Sequence, residues 1–212
     1  IDDTVQALRQ TLPVDDVQLV TLAALTQPVD QMVEITAVVP TENQCPLGTT
    51  SQAPTRAEQR AAADDPRCTG GRWQQVAWVA NVTGLSTLVD DGTTVTALGL
   101  DGSPEAAAAL AAGRVVVNSD LRLWPDGTAH MEVAAYPQTG DPEVLAEAAL
   151  PATAVDLPGP QYDVILPPSA LEELGLTTQA AGLVAPTTRQ PSDGEVAAAN
   201  RAIGSSAQVY VE

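Results

Sequence analysis

Few side chains in this chain have the type and spacing that chemistry needs. His130 is its one histidine. Nucleophilic catalysis would require a hydroxyl or thiol beside it and an acid behind it, and Ser119 with Asp120 is the nearest such pair in sequence. The run Thr128–Val133 places His130 on the polar side of a hairpin strand, an ordinary position for it. A zinc site needs three or four ligands, and one histidine with the distant Cys45 and Cys68 gives no recognisable spacing. The acidic doublets Asp2-Asp3, Asp15-Asp16, Asp64-Asp65 and Asp90-Asp91 lack the alternating oxygen ligands of a calcium loop, so they read as solvated turns.

A carboxylate pair for glycoside cleavage would also want aromatic platforms, and three Trp and three Tyr are few. Trp73, Trp78 and Trp124 read as core or edge packing. Gly70-Gly71 lacks the flanks of a phosphate-cradling loop, and no nucleophile elbow is present. Asn81-Val82-Thr83 matches a glycosylation acceptor, a pattern short enough to arise by chance. The sequence therefore predicts no catalytic residue, no cofactor and no metal site.

Charge narrows the partners. Twenty-seven acidic residues face nine basic ones, all arginine, for a net charge of −18. Such a chain repels phosphate backbones and anionic lipid headgroups, so nucleic acid is a poor partner. No apolar run reaches the length of a bilayer crossing. The start Ile1-Asp2-Asp3 has no signal-peptide character, which reads as a piece of a longer protein or a mature form.

Cys45 and Cys68 sit in the most irregular stretch, Pro40–Arg72, which is rich in Thr, Gln, Pro and Asp. A core cysteine would sit in an apolar run, and neither does. The pair reads as a disulfide in an oxidising compartment; the alternative is two exposed thiols in a cytosolic protein. Closing such a loop would contribute roughly 3 kcal/mol in the chain-entropy model.

The elements that must position these residues follow from periodicity and punctuation. Helical spacing at Val5, Leu8 and Leu12 predicts a first helix ended by Pro13. Val17–Leu25 and Met32–Val39 read as strands, with a turn near Gln27-Pro28. Pro54–Ala63 reads as a short polar helix and Trp73–Val82 as a strand. Thr94–Leu98, Ala106–Ala112 and Val115–Val117 read as a strand–helix–strand unit, with Ser103 capping the helix, Pro104 and Glu105 in its first turn and Gly113 stopping it.

Leu121–Trp124 and His130–Ala135 read as a hairpin about Pro125-Asp126-Gly127. Glu143–Val155 reads as a third strand or a bent pair broken at Pro151. A second unit comprises Tyr162–Leu166, the helix Ala170–Leu174 closed by Gly175, and a short extended Gly182–Ala185. Pro191–Ile203 reads as a helix capped by Ser192 or Asp193, with Gly204 after it, and Gln208–Val211 as a last strand. Irregular alternation of helices and strands with many hairpins predicts an α+β fold of mixed sheets.

From Cys45 onward the chain resembles the extracytoplasmic domains of actinobacterial FtsX-like, MacB-type ABC transporter permeases. The resemblance rests on Asp64–Cys68 (DDPRC), Ser103–Val117, Ala149–Val155 (ALPATAV), Val164–Leu176 (VILPPSALEELGL), Ala185–Ile203 and the final VYVE. These are structural motifs, so their order carries the likeness.

The resemblance implies a non-catalytic domain on the extracellular side of the cell membrane, held between membrane helices of the parent permease. It would be coupled indirectly to a cytoplasmic ATPase subunit and would act on an extracellular substrate or protein partner. It also implies a division into a membrane-proximal part, 1–40 with 160–212, and a distal, disulfide-bearing part, 41–159. A free-standing secreted binding protein or lipoprotein is the rival reading, and a secreted carboxylate-pair hydrolase a remote one.

Overall fold

A computed structural model describes residues 2–27, 31–47, 55–63, 65–69, 87–137, 139–157 and 163–204. The architecture is α+β. Helix α1 (Asp2–Thr11) leads to strands β1 (Gln18–Leu25) and β2 (Met32–Val38). Short helices α2 (Arg56–Ala62) and α3 (Pro66–Thr69) follow, then β3 (Leu88–Val89), α4 (Thr93–Leu98), α5 (Ser103–Ala111), β4 (Val115–Val117), β5 (Thr128–Tyr136) and β6 (Glu143–Ala154). The chain continues through β7 (Val164–Leu166), α6 (Ala170–Glu173), β8 (Leu176–Val184) and α7 (Asp193–Ile203).

These strands form one eight-stranded mixed sheet in the order β2-β5-β6-β4-β7-β3-β1-β8. Consecutive strands β1 and β2 lie near opposite ends of it, and β2 pairs with β5 while β1 pairs with β3 and β8. The sheet thus draws strands from 1–40, 41–159 and 160–212 alike.

Val115, Val116 and Val117 are fully buried at its centre, as an unbroken valine run requires when both faces are covered. Val115 and Val117 join one apolar cluster with Met131, Val133, Leu166 and Leu174; Val116 joins a second with Val95, Ala106, Leu110 and Ile165. Alternate residues of one strand feed opposite layers. The second layer is α4 with α5, which packs over the central strands.

The first strand–helix–strand unit is corrected. Thr93–Leu98 is helix α4, not a strand, so the unit is helix–helix–strand. The β-branched run would favour a strand, but the Asp90 carboxylate accepts the amide hydrogens of Thr94 at 2.9 Å and Val95 at 3.0 Å and fixes the chain as a helix start. Ser103 is likewise not the cap of α5. Gly102, at φ 81°, occupies that position, and Ser103 is the first helical residue.

Of three further expectations, one is overturned, one resolves to the first of its two alternatives, and one is extended. Leu121–Trp124 is not the first strand of a hairpin, because Asp120–Arg122 forms a 3-10 turn; β5 pairs instead with β2 and β6. Glu143–Ala154 is one continuous strand through Pro151. Up to Pro151 it pairs with β5, and from Ala152 it pairs in parallel with β4, so the proline falls where the ladder changes partner. Strand β8 extends the expected Gly182–Ala185 back to Leu176. It is an edge strand, mostly exposed, so its sequence carries little apolar alternation.

Several other local readings hold. Helix α1 ends before Pro13, and α6 is followed by Gly175 at φ 64°. Helices α2 and α7 each begin with a capping box, Thr55 with Glu58 and Ser192 with Glu195. The strands expected at Trp73–Val82 and Gln208–Val211 lie outside the described residues, as do Trp73, Trp78, Gly70-Gly71 and Asn81-Val82-Thr83.

Candidate functional site

Cys45 and Cys68 are joined in a disulfide, with Cα atoms 4.8 Å apart. The bond ties the polar loop to the end of β2. On one side, a 3-10 turn at Thr41–Asn43 leads from β2 to Cys45, and the Asn43 amide donates to the Leu121 carbonyl at 3.1 Å. On the other, α3 carries Cys68. Arg67 forks onto the Asp65 carboxylate, with a closest contact of 2.7 Å, and holds that carboxyl below its usual range.

Ser119 and His130 each have a structural partner. The Ser119 hydroxyl accepts the Leu121 amide at 3.2 Å and caps the 3-10 turn that Asp120 begins. His130 instead stacks on Trp124, with ring centroids 3.9 Å apart and planes 10° off parallel. The Trp124 indole donates to the Val38 carbonyl at 3.3 Å, so this stack braces the junction of β2 and β5. Asp126 beside it is held below the ordinary carboxyl range by hydrogen bonds from the Thr128 hydroxyl and amide, with a smaller contribution from His130.

The acidic doublets divide. Asp16 receives Val17, Gln18 and the exposed Arg9. Asp91 accepts from the Thr93 hydroxyl and amide, which lower its pKa. Asp90 corrects the reading of solvated turns, because it is only 4% exposed and is the internal cap of α4. Among the described residues no group of three or more His, Cys, Asp or Glu side chains is placed to hold a metal ion.

Two surfaces emerge that no local pattern announces. The first is a pair of helices. Leu8 of α1 and Ala199 of α7 are buried where the two pack side by side. Val14 bridges Thr187 in antiparallel sense, and the Thr188 amide donates to the Pro13 carbonyl at 2.8 Å. Helix α1 runs into that bridge and α7 runs away from it.

The second is the outer face of the β2-β5-β6 ribbon. Directly opposite residues share a face, and the register aligns Thr36 with Glu132 and Glu132 with Glu147, Glu34 with Ala134 and Ala134 with Val144, and Met32 with Tyr136. The facing residues Ile35, Ala37, Met131 and Val133 point into the core. Burial, then the charges of Glu34 and Glu132, raise the pKa of the Tyr136 hydroxyl.

Comparison with protein-family models, with curated proteins and with solved structures gives no match.

Proposed function

We propose that the chain is an extracytoplasmic, non-catalytic domain of an FtsX-like ABC transporter permease, coupling a nucleotide cycle inside the cell to a substrate or partner outside. The observation that carries this reading is the packing of α1 against α7 beside the Val14–Thr187 bridge, which brings the first and last described helices together. A domain hung between two membrane helices needs that arrangement, since both connections must reach the same membrane surface. The disulfide supports an oxidising compartment, and the resemblance of the ordered motifs supports the family. No helix among the described residues is long and apolar enough to cross a membrane, so the spans of such a permease would come from other segments.

The test uses the complete gene product in its native membrane. Carbonate-resistant membrane association, protease access to this domain from outside, and co-purification of an ATPase subunit are the expected results. Release into the medium, or membrane attachment without any ATPase, overturns the proposal in favour of a secreted binding protein or lipoprotein.

A further inference from the structure

Beyond its mode of attachment, the domain carries a built docking surface. We infer that the outer face and free edge of the β2-β5-β6 ribbon bind an extended polypeptide segment in which cationic and apolar side chains alternate, added as a strand beside β2. Three independent features converge there.

The first is where apolar surface is left over. Five large hydrophobic residues are exposed among the described ones: Leu19, Met32, Val38, Val144 and Leu145. Four of the five belong to β2 and β6. Met32 and Val144, 48% and 46% exposed, flank the half-buried Tyr136 and the buried Ala134 on the outer face. The α4–α5 layer covers that side of the sheet only over the central strands, where Val116 and Ile165 meet Val95 and Leu110. Exposed apolar residues gathered in one region mark interaction sites more reliably than scattered ones.

The second is charge. Glu132 stands directly opposite Glu147, with Thr36 on its other side and Glu34 one diagonal step away. Like charges placed opposite across a ladder cost stability. None of the four ion pairs found among the described residues involves Glu34, Glu132 or Glu147. Arg122, which reaches β2, is engaged with Asp163 and the Ala37 carbonyl. A partner bringing arginine or lysine between these carboxylates relieves the repulsion and is steered by the field of the whole domain.

The third is the backbone. Among the described residues β2 has a strand on one side only. Arg122 and Trp124 engage the carbonyls of Ala37 and Val38, which leaves Met32–Thr36, among the described residues, as the open stretch. An unpaired edge offers main-chain donors and acceptors to an added strand. The period of two then sets the partner's sequence. Residues on the outer side meet Glu34 and Thr36, and those on the inner side extend the row of Val33 and Ile35.

The probe is a labelled ten-residue peptide alternating Arg with Val, titrated into the oxidised full chain, with two controls: the same peptide N-methylated at alternate amides, and one alternating Glu with Val. Saturable binding is expected for the first alone, weakening with salt. The Glu132→Gln, Glu147→Gln double variant is expected to bind roughly three- to tenfold more weakly. Hydrogen exchange on the unaltered chain is expected to show new protection at residues 32–36, a readout that no misfolded variant can obscure.

Equal binding of the N-methylated peptide shows attraction to net charge alone and overturns the inference. So does absence of binding, or protection anywhere other than β2. A concentration-dependent dimer abolished by Met32→Lys would make a second copy the occupant, and would likewise overturn it.

Discussion

Asp90 accepts the amide hydrogen of Thr94 at 2.9 Å while only 4% exposed, and its second carboxylate oxygen takes Val95 at 3.0 Å. This side chain fixes the start of α4, and α4 carries Val95 into the second core cluster. Asp90→Ala leaves two buried amides without acceptors, so a loss of about 1–3 kcal/mol in urea unfolding is expected. Asp90→Asn retains one acceptor and is expected to lose less. Equal losses would mean that the charge, not the hydrogen bonding, holds the turn.

The glycine that follows tests the same junction from the other side. Gly92 has φ +106°, and a Cβ there would stand 2.7 Å from the Ala107 carbonyl oxygen of α5. Gly92→Ala is expected to cost at least about 2 kcal/mol, from backbone strain plus a clash with a helix that cannot move aside. Gly127 shares a positive φ but faces open space. Gly127→Ala therefore isolates the strain and is expected to cost about 1 kcal/mol. Thermal unfolding of the two variants side by side gives the difference.

The disulfide should contribute through the unfolded chain. Cys45→Ser, Cys68→Ser and the double variant are each expected to lose roughly 3 kcal/mol, and to be equivalent, because each removes the same constraint. A free-thiol assay on unfolded, oxidised protein should read zero, since both cysteines are paired. Two thiols would contradict the extracytoplasmic reading.

Acid should loosen α7. The Arg189 guanidinium, with the Ser192 amide and hydroxyl, lowers the Glu195 carboxyl to about 2 from an ordinary value of 4.5. The unfolded chain thus takes up this proton more readily than the folded one. The stabilisation is complete above about pH 4.5 and disappears as pH falls toward 2. Glu195→Gln is expected to flatten that part of the Tm profile and leave the slope above pH 5 unchanged. A variant whose profile follows the parent through the acid range would remove Glu195 from the account.

What the sequence determined by itself was everything whose cause lies within a few residues. The capping boxes at Thr55 and Ser192, the stop at Pro13 and the glycine after α6 are local hydrogen-bond and steric problems with local solutions. The cysteine pair was legible because two thiols in a polar loop have no core to enter. The α+β class was legible because periods of two and 3.6 alternate along the chain.

Tertiary structure decided the rest, for reasons of distance. Thr93–Leu98 has the β-branched content of a strand, and it is a helix because Asp90 caps it and α5 packs on it. β8 hides from pattern reading because an edge strand buries little. The sheet order sets Val117 beside Val164 and Glu132 beside Glu147, partners 47 and 15 residues apart in sequence. Pairing across such separations is chosen by the packing of whole faces, and no run of neighbouring residues encodes it. The acidic, partly apolar face of the β2-β5-β6 ribbon exists only once that order is set.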